Sequence, residues 1–137
     1  MDLLLKSASG FPAFALHLVV SLILLAIFIG IYTRVTPYPD IELIRRGNLA
    51  AAISLSGAIL GYAIPLGYSS AQSANLAEMA LWGAIAMITQ ILVYTAVRML
   101  LIPDIANDIQ EGHVAQGTLL GALSLASGIL TAGCMTY

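Results

Sequence analysis

Long uncharged stretches alternate with short charged clusters along this chain. Between Lys6 and Arg34 there is no acid or base except His17. A second uncharged stretch runs from Arg46 to Glu78, and a third from Glu78 to Arg98. A fourth follows Glu111 and contains only His113. A helix needs about 20 apolar residues to cross a hydrocarbon core roughly 30 Å thick. The pattern therefore predicts an all-α integral membrane protein with four transmembrane helices, near 11–33, 48–67, 77–100 and 113–135. Pro65 lies at the end of the second stretch and predicts a helix end there, with Gly67-Tyr68-Ser69-Ser70 as the turn beyond.

The polar clusters between these stretches repeat. Arg34-x4-Pro39-Asp40-Ile41 returns as Arg98-x4-Pro103-Asp104-Ile105, 64 positions on. Gly47-Asn48-x-Ala50 returns as Gly112-His113-x-Ala115, 65 positions on. The chain reads as one membrane domain, 1–137, built from a tandem duplicated two-helix hairpin with repeats at about 11–67 and 77–135. A two-span unit returns the chain to its starting side. The two halves then share one orientation, a parallel repeat about the membrane normal rather than the inverted repeat of many secondary transporters.

Composition agrees with lipid as the solvent. Hydrophobic residues make up 60% of the chain and charged residues 9%, against roughly 25% charged in soluble domains. The first apolar stretch is too long for the 7–15-residue core of a signal peptide, and no small-x-small cleavage site follows it. Cys134, the one cysteine, excludes an internal disulfide and a cysteine-only metal cluster within one chain. No spacing suits a metal ligand set, a nucleophile–base pair or a phosphate-cradling loop. The expectation is no enzyme, no cofactor and no nucleic acid.

Basic residues set the expected orientation. Arg34, Arg45 and Arg46 lie between the first two spans, and Arg98 begins the connection between the last two. The other side has Lys6 alone. Both longer connections are expected in the cytoplasm and both termini outside.

The connections hold the candidate chemistry. Pro39-Asp40 and Pro103-Asp104 read as helix starts, with the acid offsetting the helix dipole. Ile41, Leu43 and Ile44 interleave with Glu42, Arg45 and Arg46 as in a short amphipathic surface helix, and Ile105 and Ile109 repeat the idea. Gly47 and Gly112 permit a sharp turn into the next span. The plain reading of all this is a re-entry turn. Asn48 and His113 fall at the starts of spans two and four, where Asn is a strong cap and His a weaker one of the residue type that titrates near neutral pH. Paired helix starts favour anions, so Arg45, Arg46, Asn48 and His113 form a candidate entrance or anion site. Within the spans, Gln90 and the other polar side chains are expected to face protein or water.

Small residues mark the even-numbered spans, including Gly57-x3-Gly61 and Gly117-x3-Gly121. Helices in lipid associate through close backbone approach, so these four glycines are the expected packing positions, within the fold or between copies. Spans one and three carry bulkier side chains, Trp82 among them, suited to face lipid.

Three motifs, Tyr32-Thr33-Arg34-x-Thr36-Pro37, Ile44-x2-Gly47-Asn48-x-Ala50-Ala51-Ala52 and Gly57-x3-Gly61-Tyr62-x-Ile64-Pro65, resemble the bacterial inner-membrane family catalogued as domain of unknown function 350. Gly128-Ile129-Leu130-x-Ala132-x-Cys134-Met135-Thr136 resembles it too. The resemblance covers nearly the whole chain and implies four spans and a duplicated hairpin, but no agreed activity. The functional expectation is an oligomeric pore or permeation protein for a small ion. The alternative is a structural or accessory subunit whose cytoplasmic loops bind a protein partner.

Overall fold

The computed structural model describes residues 2–73 and 75–135; Thr136, part of the C-terminal motif, lies outside them. The helices are α1 (Asp2–Ala8), α2 (Phe11–Val35), α3 (Asp40–Arg45), α4 (Leu49–Gln72), α5 (Leu76–Ala96), α6 (Ile105–Gln110) and α7 (Val114–Cys134). A π-turn, Val97–Leu101, prolongs α5. Among the described residues there is no strand, and four helical stretches are long and apolar enough to span a bilayer: Asp2–Val35, Leu49–Gln72, Leu76–Leu101 and Val114–Cys134.

The helices α4 and α7 form the spine of the bundle. A Cβ added to Gly57 would overlap the backbone of Gly121, and one added to Gly128 would overlap the carbonyl of Gly61. A Cβ on Gly117 would sit 2.6 Å from the Ala50 carbonyl oxygen, and one on Gly121 2.7 Å from that of Ile53. Without side chains at these points the two backbones touch, and dispersion contacts replace the hydrophobic drive that lipid does not supply. All four glycines singled out by spacing lie on this seam, within one chain.

Against the spine, α5 buries one face through Met79, Gly83, Ala86, Met87, Gln90 and Tyr94. By contrast α2 buries only Phe28 and Tyr32. Of the two spans with bulky side chains, α2 is thus exposed over most of its surface and α5 over one face. The rings of Phe28 and Tyr62 stack with centroids 4.5 Å apart, and Tyr32 meets Tyr94 edge-on at 5.3 Å. The Tyr62 hydroxyl donates to the Gly83 carbonyl at 3.1 Å.

The expected stop at Pro65 does not occur. Helix α4 runs on to Gln72, and Tyr68-Ser69-Ser70 is helical rather than a turn. Proline removes the bond its N–H would give to the carbonyl four residues back. That carbonyl belongs to Gly61, and it accepts instead from Nε2 of Gln90 at 2.9 Å. A side chain from a neighbouring helix replaces the lost backbone donor, as bilayer helices require.

Candidate functional site

The two connections converge at one end of the bundle, and each turns in the same way. After α3, the N–H groups of Gly47 and Asn48 donate to the carbonyls of Ile44 and Leu43, both at 2.9 Å. After α6, Gly112 donates to Ile109 at 3.1 Å and His113 to Asp108 at 2.9 Å. These are paired Schellman caps, which need a left-handed residue; Gly47 has φ 86° and Gly112 has φ 78°.

Asn48 uses both ends of its amide. Its Oδ1 accepts from the Ala51 N–H at 3.0 Å and caps α4, while Nδ2 donates to the Ile109 carbonyl at 2.7 Å. The cap thereby ties the first connection to the second. His113 occupies the matching position on α7 but makes no side-chain cap. Its Nδ1 lies 3.0 Å from Asp108 Oδ1 and its Nε2 3.3 Å from Glu111 Oε2. Arg46 pairs with Glu42 on the exposed face of α3.

An open groove of about 420 Å³ is lined by Arg46, Asn48, Gln110 and Glu111 together with Leu43 and Leu49. The structure thus brings Arg46 and Asn48 to one groove and sets His113 beside its Glu111 rim. Arg45 is exposed and outside the lining. The amide of Asn48 is engaged at both ends, and the carboxylates of Asp108 and Glu111 lie against His113.

A second constellation lies at the same end, buried between α2, α3 and α5. Asp40 reads from the sequence as a helix-start acid that offsets the dipole. It is 1% exposed. Its Oδ2 accepts from the Thr36 hydroxyl, whereas Oδ1 has no partner. Burial pushes its carboxyl up to about 6, against the opposing pull of the Thr36 hydrogen bond and its own backbone N–H. Around it are the buried hydroxyls of Tyr32, which makes no hydrogen bond, and of Tyr38 and Tyr94, which pair with each other. Each of the three interacts electrostatically with Asp40. Burial drives the Tyr38 phenol far above its ordinary value, so it stays protonated. Arg98, in the π-turn, acts on Tyr94. Ile41, one of the apolar positions of the amphipathic helix, is exposed, and Asp40 and Leu43 are the buried residues of α3.

The polar interior extends toward mid-span. One turn before Tyr94 on α5, Gln90 Nε2 also donates to the Ser124 carbonyl at 3.1 Å. The Oε1 of Gln90 and the Oγ of Ser124 are buried without partners. Buried polar atoms without partners thus occur on Ser124 and Gln90 at mid-span and on Tyr32 and Asp40 toward the connection end.

In the sequence alone Asp40 is inconspicuous, because its proline-acid context fits a helix start. A signal was present. Tyr32, Thr36 and Asp40 are spaced by four, and Tyr38 joins them. At the offset of 64, the second half has Ala96, Leu100, Asp104 and Ile102. Asp104, without hydroxyl neighbours, is exposed.

The architecture defines a four-span helical membrane protein with a polar cluster at its connection end. The chain belongs to the family described as Domain of Unknown Function (DUF350), whose model matches residues 6–135. It is similar to the UPF0719 inner membrane protein YjfL of Escherichia coli strain K12, 35% identical over 125 residues, covering 91% of this chain and 94% of that protein. It is also similar to the UPF0719 transmembrane protein YshE of Bacillus subtilis strain 168, 33% identical over 75 residues, covering 55% and 56%. No solved structure matches the chain.

Proposed function

We propose that the protein is a permeation protein for a small ion in the bacterial inner membrane, working as a homo-oligomer with both termini outside. The observation that carries this reading is the set of buried polar atoms without partners at Ser124, Gln90, Tyr32 and Asp40. Unpaired polar groups cost about 1–3 kcal/mol each on burial, and intramembrane polar residues commonly mark ion pathways. The acids beside His113 and the buried Asp40 favour a cation over an anion. The matched Schellman caps of the two connections support a tandem duplication with parallel halves, since each half presents the same turn at the same end.

The alternative, a structural or accessory subunit, draws on a different observation. The α4–α7 seam is closed by backbone contact, which argues against a path between those two helices within one chain. Flux assays in proteoliposomes separate the readings. Cation flux above empty liposomes, reduced in Asp40→Asn and with little chloride flux, is expected. Absence of flux for sodium, potassium, protons and chloride alike would leave the accessory subunit. His113→Asn, measured in the same assay from pH 5 to 8, reports whether the histidine acts at the entrance.

A further inference from the structure

We propose that Asp40, Tyr32, Tyr38 and Tyr94 form a buried binding site for one monovalent alkali cation, held in place of the carboxyl proton of Asp40. The inference rests on the permeation reading and deepens it by naming the ion and where it pauses. Four oxygens are available: Oδ1 of Asp40 and the hydroxyl of Tyr32, both buried without a hydrogen-bond partner, and the buried hydroxyls of Tyr38 and Tyr94, which pair with each other. The Thr36 hydroxyl engages Oδ2, fixing the carboxylate with Oδ1 left over. An all-oxygen set suits a hard cation.

The charge count selects the valence. Among the described residues no group of three or more His, Cys, Asp and Glu side chains is placed to hold a metal ion. One carboxylate among neutral phenols balances a single positive charge. The protein itself does not supply that charge. The influences on Asp40 are burial, Thr36 and its own backbone N–H, whereas Arg98 acts on Tyr94. The groups that interact with Asp40 are therefore Tyr32 from α2, Tyr38 from its own connection and Tyr94 from α5, and Arg98 interacts with Tyr94. On entry of the cation the carboxyl O–H bond breaks and the proton leaves to solvent, one positive charge for another. A buried carboxylate left without a counter-charge is costly, so cation and proton compete for the same oxygen.

Equilibrium binding tests this apart from transport. The full chain in nanodiscs is titrated with sodium, potassium or lithium against choline, by calorimetry and by release of protons into weak buffer. Saturable binding near one ion per chain is expected at pH 7, about tenfold weaker at pH 5 because the Asp40 proton then competes, and absent in Asp40→Asn. Tyr38→Phe and Tyr94→Phe keep the carboxylate and each remove one oxygen; several-fold weaker binding is expected in both. No saturable binding of any of the three ions, or binding that persists in folded Asp40→Asn, would overturn the site. Should Asp40→Asn not fold, unchanged affinity in both tyrosine variants would overturn it equally. Binding without flux would retain the site and defeat the permeation reading.

Discussion

The side-chain amide of Gln90 donates to the carbonyl of Gly61 at 2.9 Å, the carbonyl that Pro65 leaves without its helical N–H. The proline and the glutamine are thus two halves of one arrangement, on different helices. Gln90→Leu removes this bond and the one to the Ser124 carbonyl, and should destabilise the fold by about 1–2 kcal/mol. Pro65→Ala restores a backbone donor to Gly61. In that background the cost of Gln90→Leu should fall by roughly 1 kcal/mol, a coupling read from a double-mutant cycle of unfolding in detergent. Strictly additive losses would show that the two residues act separately.

Glycines of this chain should separate into three classes when changed to alanine. At Gly57 and Gly128 the new Cβ meets backbone, which cannot rotate away, so the helices must part; a loss of about 1–3 kcal/mol is expected. Gly47 and Gly112 have open space but a positive φ, and should each lose about 1–2 kcal/mol from backbone strain. Gly67 lies in α4 with nothing within 4 Å, and its change should be neutral or slightly stabilising. Unfolding midpoints of the set provide the comparison.

Asn48 should behave differently toward two replacements. Asn48→Ala loses both the α4 cap and the tie to Ile109. Asn48→Asp retains an oxygen for the Ala51 N–H but turns a second oxygen on the Ile109 carbonyl. Both should cost about 1–2 kcal/mol, whereas an ordinary cap would tolerate aspartate. A fully stable Asn48→Asp protein would reduce the residue to a cap.

Much of the fold was legible because lipid leaves few solutions to the chain. Uncharged runs gave the spans to within a few residues, and the spacing of Gly57, Gly61, Gly117 and Gly121 pointed to close approach. The end of α4 was misplaced because Pro65 reads as a stop until a donor from another helix is known. The paired glycine turns were visible in the repeat, but the tie from Asn48 to Ile109 spans 61 positions and has no local signature. Asp40 was hardest, since a carboxylate after proline looks alike at a surface and in a core. The difference lay in its neighbours, Tyr32, Thr36 and Tyr38, which the second half replaces with Ala96, Leu100 and Ile102.

The orientation is open to direct labelling. On a Cys134→Ser background, Arg45→Cys and Asp104→Cys place thiols on exposed positions of the two connections. The bias of arginine toward these connections predicts that they face the cytoplasm. Neither thiol should react with an impermeant maleimide applied to intact cells, and both should react after permeabilisation. Labelling of both from outside would invert the topology.

The buried carboxyl of Asp40 ties stability to pH, and the sign can be worked out. Its value rises from 3.8 to about 6 on folding, so the folded state holds the proton more tightly than the unfolded chain. The favourable contribution is then fully present below about pH 4 and is lost as pH rises through about 6. A shift of this size corresponds to something on the order of 3 kcal/mol. The native protein in choline buffer should therefore lose stability between about pH 4 and 6, and Asp40→Asn, which keeps the shape without the charge, should show a much flatter profile. Sodium at pH 7 should recover part of the loss in the native chain, because a ligand bound only by the folded state stabilises it. A native profile that matches Asp40→Asn across this range would place the carboxyl in water rather than in the core.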